Sequence, residues 1–257
     1  VYKRQALNNI DKDILNKNSE FLIGSITKIF TVLLLLILQQ KNILNINDKL
    51  GKYFNNKFRI NELKNIKIID IINHISGIKN MFDNYNYQGL NIRFNSVTEI
   101  MDHFKNEKFL KHKKGKFNYS NLGYIILGFL IENLTGQTYK NIVRRNILDK
   151  LDMNNSGFSK TNTKLYTATR NKLTKKEKNE KYFASSSGQL KSSIGDLIKF
   201  GNFPSLLTKE SKNLLKHMYF YKKENNRHKI SHVGGIIGGS SKLIIRYKSN
   251  WKVKDMN

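Results

Sequence analysis

Ten consecutive residues from Ile29 to Leu38 carry no charge, and Thr31 is the only one of them with a hydroxyl. A membrane-spanning helix needs roughly 20 apolar residues, so a run this short belongs inside a protein core. Extended back to Ser25 and forward to Lys41, the segment predicts a helix that is apolar on nearly every face, which only a central position satisfies. A strand-like Phe21-Leu22-Ile23 and a tight Gly24 come just before it. Whatever fold the chain adopts must wrap its other elements around this helix.

Enough apolar material exists to do so: 39 % of the 257 residues are hydrophobic and 11 % aromatic, which suits one large domain and argues against disorder. The absence of cysteine removes disulfides, thiolate zinc sites and cysteine nucleophiles. The 46 Lys and Arg against 19 Asp and Glu give a net charge of +27. Such a charge neutralises phosphates in nucleic-acid binders, but only eight of these residues are Arg. The lysines are scattered among Asn and Ile, the mixture that AT-rich coding favours, and no aromatic-basic cluster forms a base-stacking platform. No specific nucleic-acid partner is therefore expected, while electrostatic association with an anionic envelope is.

Further along, Asn45 to Phe54 is turn-like. Ile66 to Ile75 predicts a short helix closed by a glycine cap at Gly77. Ser96 and Glu99 form a capping box for a helix through about Leu110. Leu122 to Leu134 predicts another apolar helix, ended by Gly136. Tyr139, Ile142, Val143, Ile147 and Leu151 recur at helical spacing. Ser159 to Lys181 is polar and aperiodic, which predicts a long surface loop. Ser193 and Asp196 start a short helix to about Phe200. From His228 the texture changes to strands: KISHV, a glycine turn, KLIIRY, then WKV.

The central helix opens with S-I-T-K, which sets Ser25 and Lys28 on one helical face. A serine hydroxyl becomes a nucleophile when a base takes its proton, and a buried lysine does this once desolvation lowers its pKa. The spacing alone says little, since it recurs at Ser76/Lys79 and Ser249/Lys252. What adds weight is the order of companions: Tyr119-Ser120-Asn121 before a buried helix, then His232-Val233-Gly234-Gly235 on a strand.

With these motifs the chain resembles the serine β-lactamase and penicillin-binding protein superfamily, in particular its class C β-lactamase-like branch of esterases and D-alanyl-D-alanine carboxypeptidases. FLIGSITKIFT resembles the nucleophile segment and IIDIINHISGI the early helix with its H-x-S-G turn. FNYSNLGYIILGFLIENLTGQTY resembles the Y-x-N segment, and ILDKLDMNNSGF the turn that follows it. SSSGQLKSSIGDLIKF resembles the G-G-L-x-S-x-x-D-L helix, and HVGGIIGGSS the H-x-G strand. Together they cover roughly residues 21–241.

The resemblance implies an α/β (α+β) fold in one domain over residues 1–257: an antiparallel sheet flanked by helices (about 1–41 and 226–257) plus a mainly helical lobe (about 42–200). It implies acyl transfer to Ser25 on an amide or ester, such as a D-alanyl-D-alanine-type peptide, a β-lactam or a small ester, with no metal and no cofactor. Lys28 would be the proton partner. Tyr119 would shuttle protons, its phenol ionising more easily beside two cationic groups. Asn121 would bind the substrate's side chain, and His232 would keep a donor near Tyr119 and the substrate carboxylate. The backbone N–H groups of Ser25 and Gly235 would form the oxyanion hole, and Gly234 would let the strand approach the substrate. Val233 stands where many relatives have Thr or Ser, which weakens carboxylate recognition and shifts weight toward esters or unusual amides.

His74, before Ser76-Gly77, is expected to make a structural hydrogen bond at its turn. His103, His112 and His228 lack metal-ligand spacing and are expected at the surface. Ser185 to Ser187 suit either the border of the site or a polar loop. Relatives carry strands before the nucleophile helix and a strand and helix after the H-x-G hairpin, so both termini are expected to be truncated, with any export signal lying outside this stretch. The resemblance implies an exported, envelope-associated monomer. The alternative is a catalytically silent scaffold or envelope-binding protein of the same fold.

Overall fold

The central helix is the axis of the molecule. The computed structural model describes residues 16–54, 61–80, 108–158, 166–169, 172–175, 185–236 and 239–256, with helical positions at 99 and 102. Strand β1 (Glu20–Leu22) leads through a 3-10 turn (Gly24–Ile26) into helix α1 (Thr27–Gln40), in which every residue from Thr27 to Leu38 is buried. The one hydroxyl in its apolar run is satisfied on both sides: Thr31 Oγ1 lies 2.7 Å from Tyr139 Oη and donates to the Ser186 carbonyl at 2.6 Å. Pairing a buried hydroxyl in this way removes most of the cost of desolvating it.

Helices α2 (Ile68–Ile72), α3 (Asn121–Thr135) and α4 (Tyr139–Val143) follow. Ser120 caps α3 by accepting from the Gly123 N–H at 3.0 Å, and Gly136 ends it in the left-handed conformation. After α4 the helix widens into a π turn (Arg144–Leu148) and tightens into a 3-10 turn (Asp149–Leu151), which keeps Ile147 and Leu151 buried. Strands β2 (Tyr166–Thr169) and β3 (Lys172–Lys175) pair as a hairpin where the sequence predicted a loop. Tyr-Thr-Ala-Thr and Lys-Leu-Thr-Lys are too short and too weakly apolar for pattern alone to reveal them. Next come α5 (Ser185–Gly188), β4 (Lys191–Ser193), α6 (Ile194–Phe200) and α7 (Lys209–Leu215). Ser193 caps α6 as its spacing from Asp196 predicted, at 3.1 Å.

Strands β5 (Tyr221–Glu224), β6 (Arg227–Ile236), β7 (Gly239–Tyr247) and β8 (Val253–Met256) form an antiparallel sheet in that order. The expected mixture of antiparallel sheet and helices is thus present. On β7, Leu243, Ile245 and Tyr247 alternate into the core, and Tyr247 meets Phe203 edge to face at 6.1 Å. Strand β1 pairs with β4, and this pair carries a nearly buried ion pair, Lys191 Nζ to Glu20 Oε2 at 2.6 Å.

Two expectations about helix ends are corrected. Helix α2 stops at Ile72, and the left-handed residue that closes it is His74 (φ 58°); Gly77 also has positive φ (83°) but lies three residues further on. A non-glycine residue persists there when its surroundings fix it. Here the Ser120 N–H donates to His74 Nδ1 at 3.1 Å, and the ring packs 4.3 Å from Tyr119 and 4.6 Å from Tyr219. The expected structural hydrogen bond is therefore made. The helix expected from Ser96 does not reach Leu110, which bridges to Ile78 instead; Glu99 is helical, while Ser96 lies outside the described residues. His228 is buried, stacked on Trp251 at 4.2 Å, so its expected surface role does not apply; His103 lies outside the described residues.

The sheet meets the central helix at one close contact. Gly24 has φ 52°, and a methyl group there would lie 2.8 Å from the Gly235 carbonyl oxygen. A methyl group on Gly234 would lie 2.0 Å from the Ile23 carbonyl oxygen. Ser241 Oγ donates to that same carbonyl at 2.8 Å, tying β7 to the turn as well. Only glycine allows β6 this near to Ile23-Gly24.

Gly234→Ala should therefore cost about 3 kcal/mol or more, since backbone and not a flexible side chain opposes the new methyl. Urea unfolding measures this, and a loss under about 0.5 kcal/mol would contradict the packing described. Burial, reinforced by Lys28 and then His232, pushes His74 down to about 3, against about 6.5 in an unfolded chain. The unfolded state then binds more protons between those values, so stability falls as the pH drops from about 7 toward 3. His74→Asn keeps an acceptor and tolerates positive φ, so thermal melts of this variant between pH 7 and 4 should show a shallower loss than the wild type.

Candidate active site

Ser25 sits in the 3-10 turn that begins α1, and Lys28 lies one turn on, fully buried. Lys28 Nζ is 3.0 Å from Ser25 Oγ, 2.7 Å from Asn121 Oδ1 and 2.6 Å from the Ser187 carbonyl oxygen. Burial holds Lys28 well below the ordinary lysine range, which favours the uncharged amine. An amine has two hydrogens and one lone pair. The Ser187 carbonyl and Asn121 Oδ1 only accept, so they take both hydrogens. The lone pair is left facing the Ser25 hydroxyl, the geometry a general base needs.

Tyr119 Oη donates to Ser25 Oγ from the other side at 2.8 Å. The expectation of an easily ionised phenol is reversed: burial pushes Tyr119 up to about 12, outweighing the opposing Ser25 hydrogen bond. The two supposed cations are not charged as expected. Burial discourages charge on Lys28, and it pushes His232 down to about 4 despite a stabilising bond to the Val233 carbonyl. Asn121 starts α3, and its side chain and backbone N–H both donate to Asn80 Oδ1, at 3.3 and 3.2 Å.

The structure thus brings Ser25, Lys28, Tyr119 and Asn121 into one hydrogen-bonded group. Gly235 lies beside them, with open space where a side chain would point and its N–H 3.0 Å from the position of a methyl on Gly24. Gly234, by contrast, is buried against Ile23, so the close approach it permits is to the nucleophile turn and not to a substrate. His232 also departs from expectation. Its Nδ1 lies 2.7 Å from the Val233 carbonyl oxygen and its Nε2 2.5 Å from Tyr219 Oη, so both ring nitrogens are engaged within the protein.

A groove of about 510 Å³ opens from Tyr119 across the outer face of β6 and β7, lined by His232, Val233, Tyr219, Phe220 and Lys242 among others. Val233 is 59 % exposed in it, an apolar surface where a hydroxyl would donate. Sequence reasoning missed Asn80 and Tyr219, and left Ser187 open between the border of the site and a polar loop; its carbonyl oxygen does reach Lys28. Ser187 acts through its carbonyl, which side-chain identity does not signal. The resemblance segment SSSGQLKSS did pass through it.

The chain is 32 % identical to Protein flp of Staphylococcus aureus over 168 residues, which is 63 % of this chain and 33 % of that protein. Penicillin-binding protein 4* of Bacillus subtilis is 28 % identical over 149 residues, 56 % of this chain and 32 % of that one. The chain spans about a third of the length of these curated relatives. Among solved structures, FmtA from S. aureus superposes with a TM-score of 0.72 at 23 % identity, covering 95 % of this chain and 70 % of that one. D-amino acid amidase from Ochrobactrum anthropi superposes at 0.71 with 18 % identity, covering 92 % and 75 %. At these identities the superpositions speak for the fold. The model of the Beta-lactamase family matches residues 8–233, most of the chain, and the protein therefore belongs to that family.

Proposed function

We propose that the protein is a serine hydrolase that transfers the acyl group of an amide or ester to Ser25 and then to water. The observation that carries this is the 3.0 Å contact of the buried Lys28 Nζ with Ser25 Oγ, beside two acceptors that would use both hydrogens of the uncharged amine and leave its lone pair to the serine. As Ser25 Oγ bonds to the acyl carbon, Lys28 takes the serine proton. Tyr119, protonated at the start, gives its proton to the leaving atom as the acyl bond breaks. The resulting ammonium-phenolate pair is discharged in the second half. The phenolate takes a proton from the attacking water, and Lys28 returns its proton to Ser25 as the acyl-enzyme opens. The backbone N–H groups of Ser25 and Gly235, beside each other across the Gly24 contact, would hold the oxyanion, a role in which one donor is worth about 10²–10³ in rate.

D-alanyl-D-alanine-type peptides, β-lactams and small esters are all acyl donors that this chemistry accepts. Similarity to penicillin-binding proteins and to amidases supports the amide side, and the apolar Val233 supports esters and uncharged amides. A silent scaffold of the same fold is the other reading; the gathering of Ser25, Lys28, Tyr119 and Asn121 in one hydrogen-bonded group, which a retired site need not keep, favours the enzyme. Export and electrostatic attachment to an anionic envelope accord with the +27 charge; no helix among the described residues is long and apolar enough to cross a membrane.

Intact-mass analysis after incubation with a fluorophosphonate should show one adduct, located on Ser25 and absent from Ser25→Ala. Lys28→Met should slow its formation at pH 7 by about 10²-fold or more. Folded protein that forms no adduct, or forms it elsewhere, would overturn the proposal. The same measurement with a penicillin separates a penicillin-reactive enzyme from an esterase.

A further inference from the structure

His232 is locked by a residue that neither motif nor family match singles out. A carbonyl oxygen only accepts, so His232 Nδ1, 2.7 Å from the Val233 carbonyl, must carry a hydrogen. In the neutral ring Nε2 is then a bare lone pair, and the hydrogen in the 2.5 Å contact belongs to Tyr219 Oη. Tyr124, whose hydroxyl neighbours that of Tyr219, gives its own hydrogen to the Ile72 carbonyl at 2.9 Å. Tyr219 is itself fixed from the far side of the cleft. Its N–H donates to Asn73 Oδ1 at 2.9 Å, while Asn73 Nδ2 donates to the His217 carbonyl at 3.0 Å. The ring stands edge-on between His74 at 4.6 Å and His232 at 5.4 Å. Tyr219 therefore joins the end of α2 to β6 at the floor of the groove that begins at Tyr119.

We infer that Tyr219 is a positioning residue that holds His232 in its Nδ1–H form with both nitrogens engaged, so that the histidine offers no N–H to the groove and the site prefers acyl donors with an uncharged leaving side over those bearing a carboxylate there. This rests on the acyl-transfer reading of Ser25. Val233, exposed beside it, adds no donor. Lys242, opposite Val233 on β7, lines the same groove and attracts any anion, but it does so equally whether or not Tyr219 keeps its hydroxyl.

Tyr219→Phe keeps the ring and removes the hydrogen that occupies Nε2, leaving that nitrogen free to take a proton and pair with a carboxylate in the groove. Hydrolysis of 3-acetoxybenzoate and of its uncharged methyl ester, compared at pH 6 and 7, reads the effect. The ratio of kcat/KM for the carboxylate over the methyl ester should rise about fivefold or more in Tyr219→Phe, with the methyl ester itself changing less than about threefold. A merely structural role would lower both substrates together, and an unchanged ratio overturns the inference. Long-range ¹H–¹⁵N NMR of the wild type at pH 7 provides a check that needs no variant. It should find His232 with a protonated Nδ1 and a bare Nε2, and a protonated Nε2 overturns the inference outright. Ser25→Ala separates the two claims: if it still hydrolyses both esters, the acyl-transfer reading fails while the NMR result for His232 stands on its own.

Discussion

A lysine with no access to water is the constraint around which the rest is arranged. Lys28 lies at the start of a helix whose every face is buried, and no solvent is available to support its charge. Three oxygens reach it, one from its own helix, one from the start of α3 and one from α5. The Tyr119 and Tyr124 rings lie within 4.9 and 5.4 Å of its nitrogen and close the remaining sides. Desolvation lowers its basicity, and the same burial keeps Tyr119 protonated. Acid and base are thus set by exclusion of water, not by opposite charges.

Such a site works only if the sheet closes on it, and backbone contact achieves this. Gly24 and Gly234 remove the two side chains that would hold β6 away from the nucleophile turn. The Ser241 bond to Ile23 then fixes the strand in register. Gly235 is left with open space where a side chain would point, next to the nucleophile turn. On the other flank, His74 couples the end of α2 to the Tyr119-Ser120-Asn121 segment through the Ser120 N–H, so a residue that touches no reacting atom sets where the phenol and the amide stand.

Much of this was legible in the sequence, and unevenly so. The central helix, the Ser193 cap, the Gly136 stop and the β6–β7 pair all follow from local rules of burial, capping and alternation. The hairpin Tyr166–Lys175 and strand Tyr221–Glu224 did not, because their residues are polar or charged and owe their conformation to pairing. Within the site, the spacing of Ser25 and Lys28 and the companions Tyr119 and Asn121 were readable, and they do converge. What failed was electrostatics. Lysine and histidine beside a phenol suggest two positive charges, yet charge depends on burial, which a list of residues does not contain. Tyr219 was invisible for a similar reason: it acts through a partner 13 residues away on another element.

The central claim is that Lys28 is an uncharged base at the pH where the protein works. It is tested most directly by following the ε-methylene of Lys28 by ¹³C NMR as pH is varied, with the signal assigned by its loss in Lys28→Met. The account predicts a titration midpoint far below that of the exposed lysines in the same spectrum. A midpoint at or above theirs would contradict it.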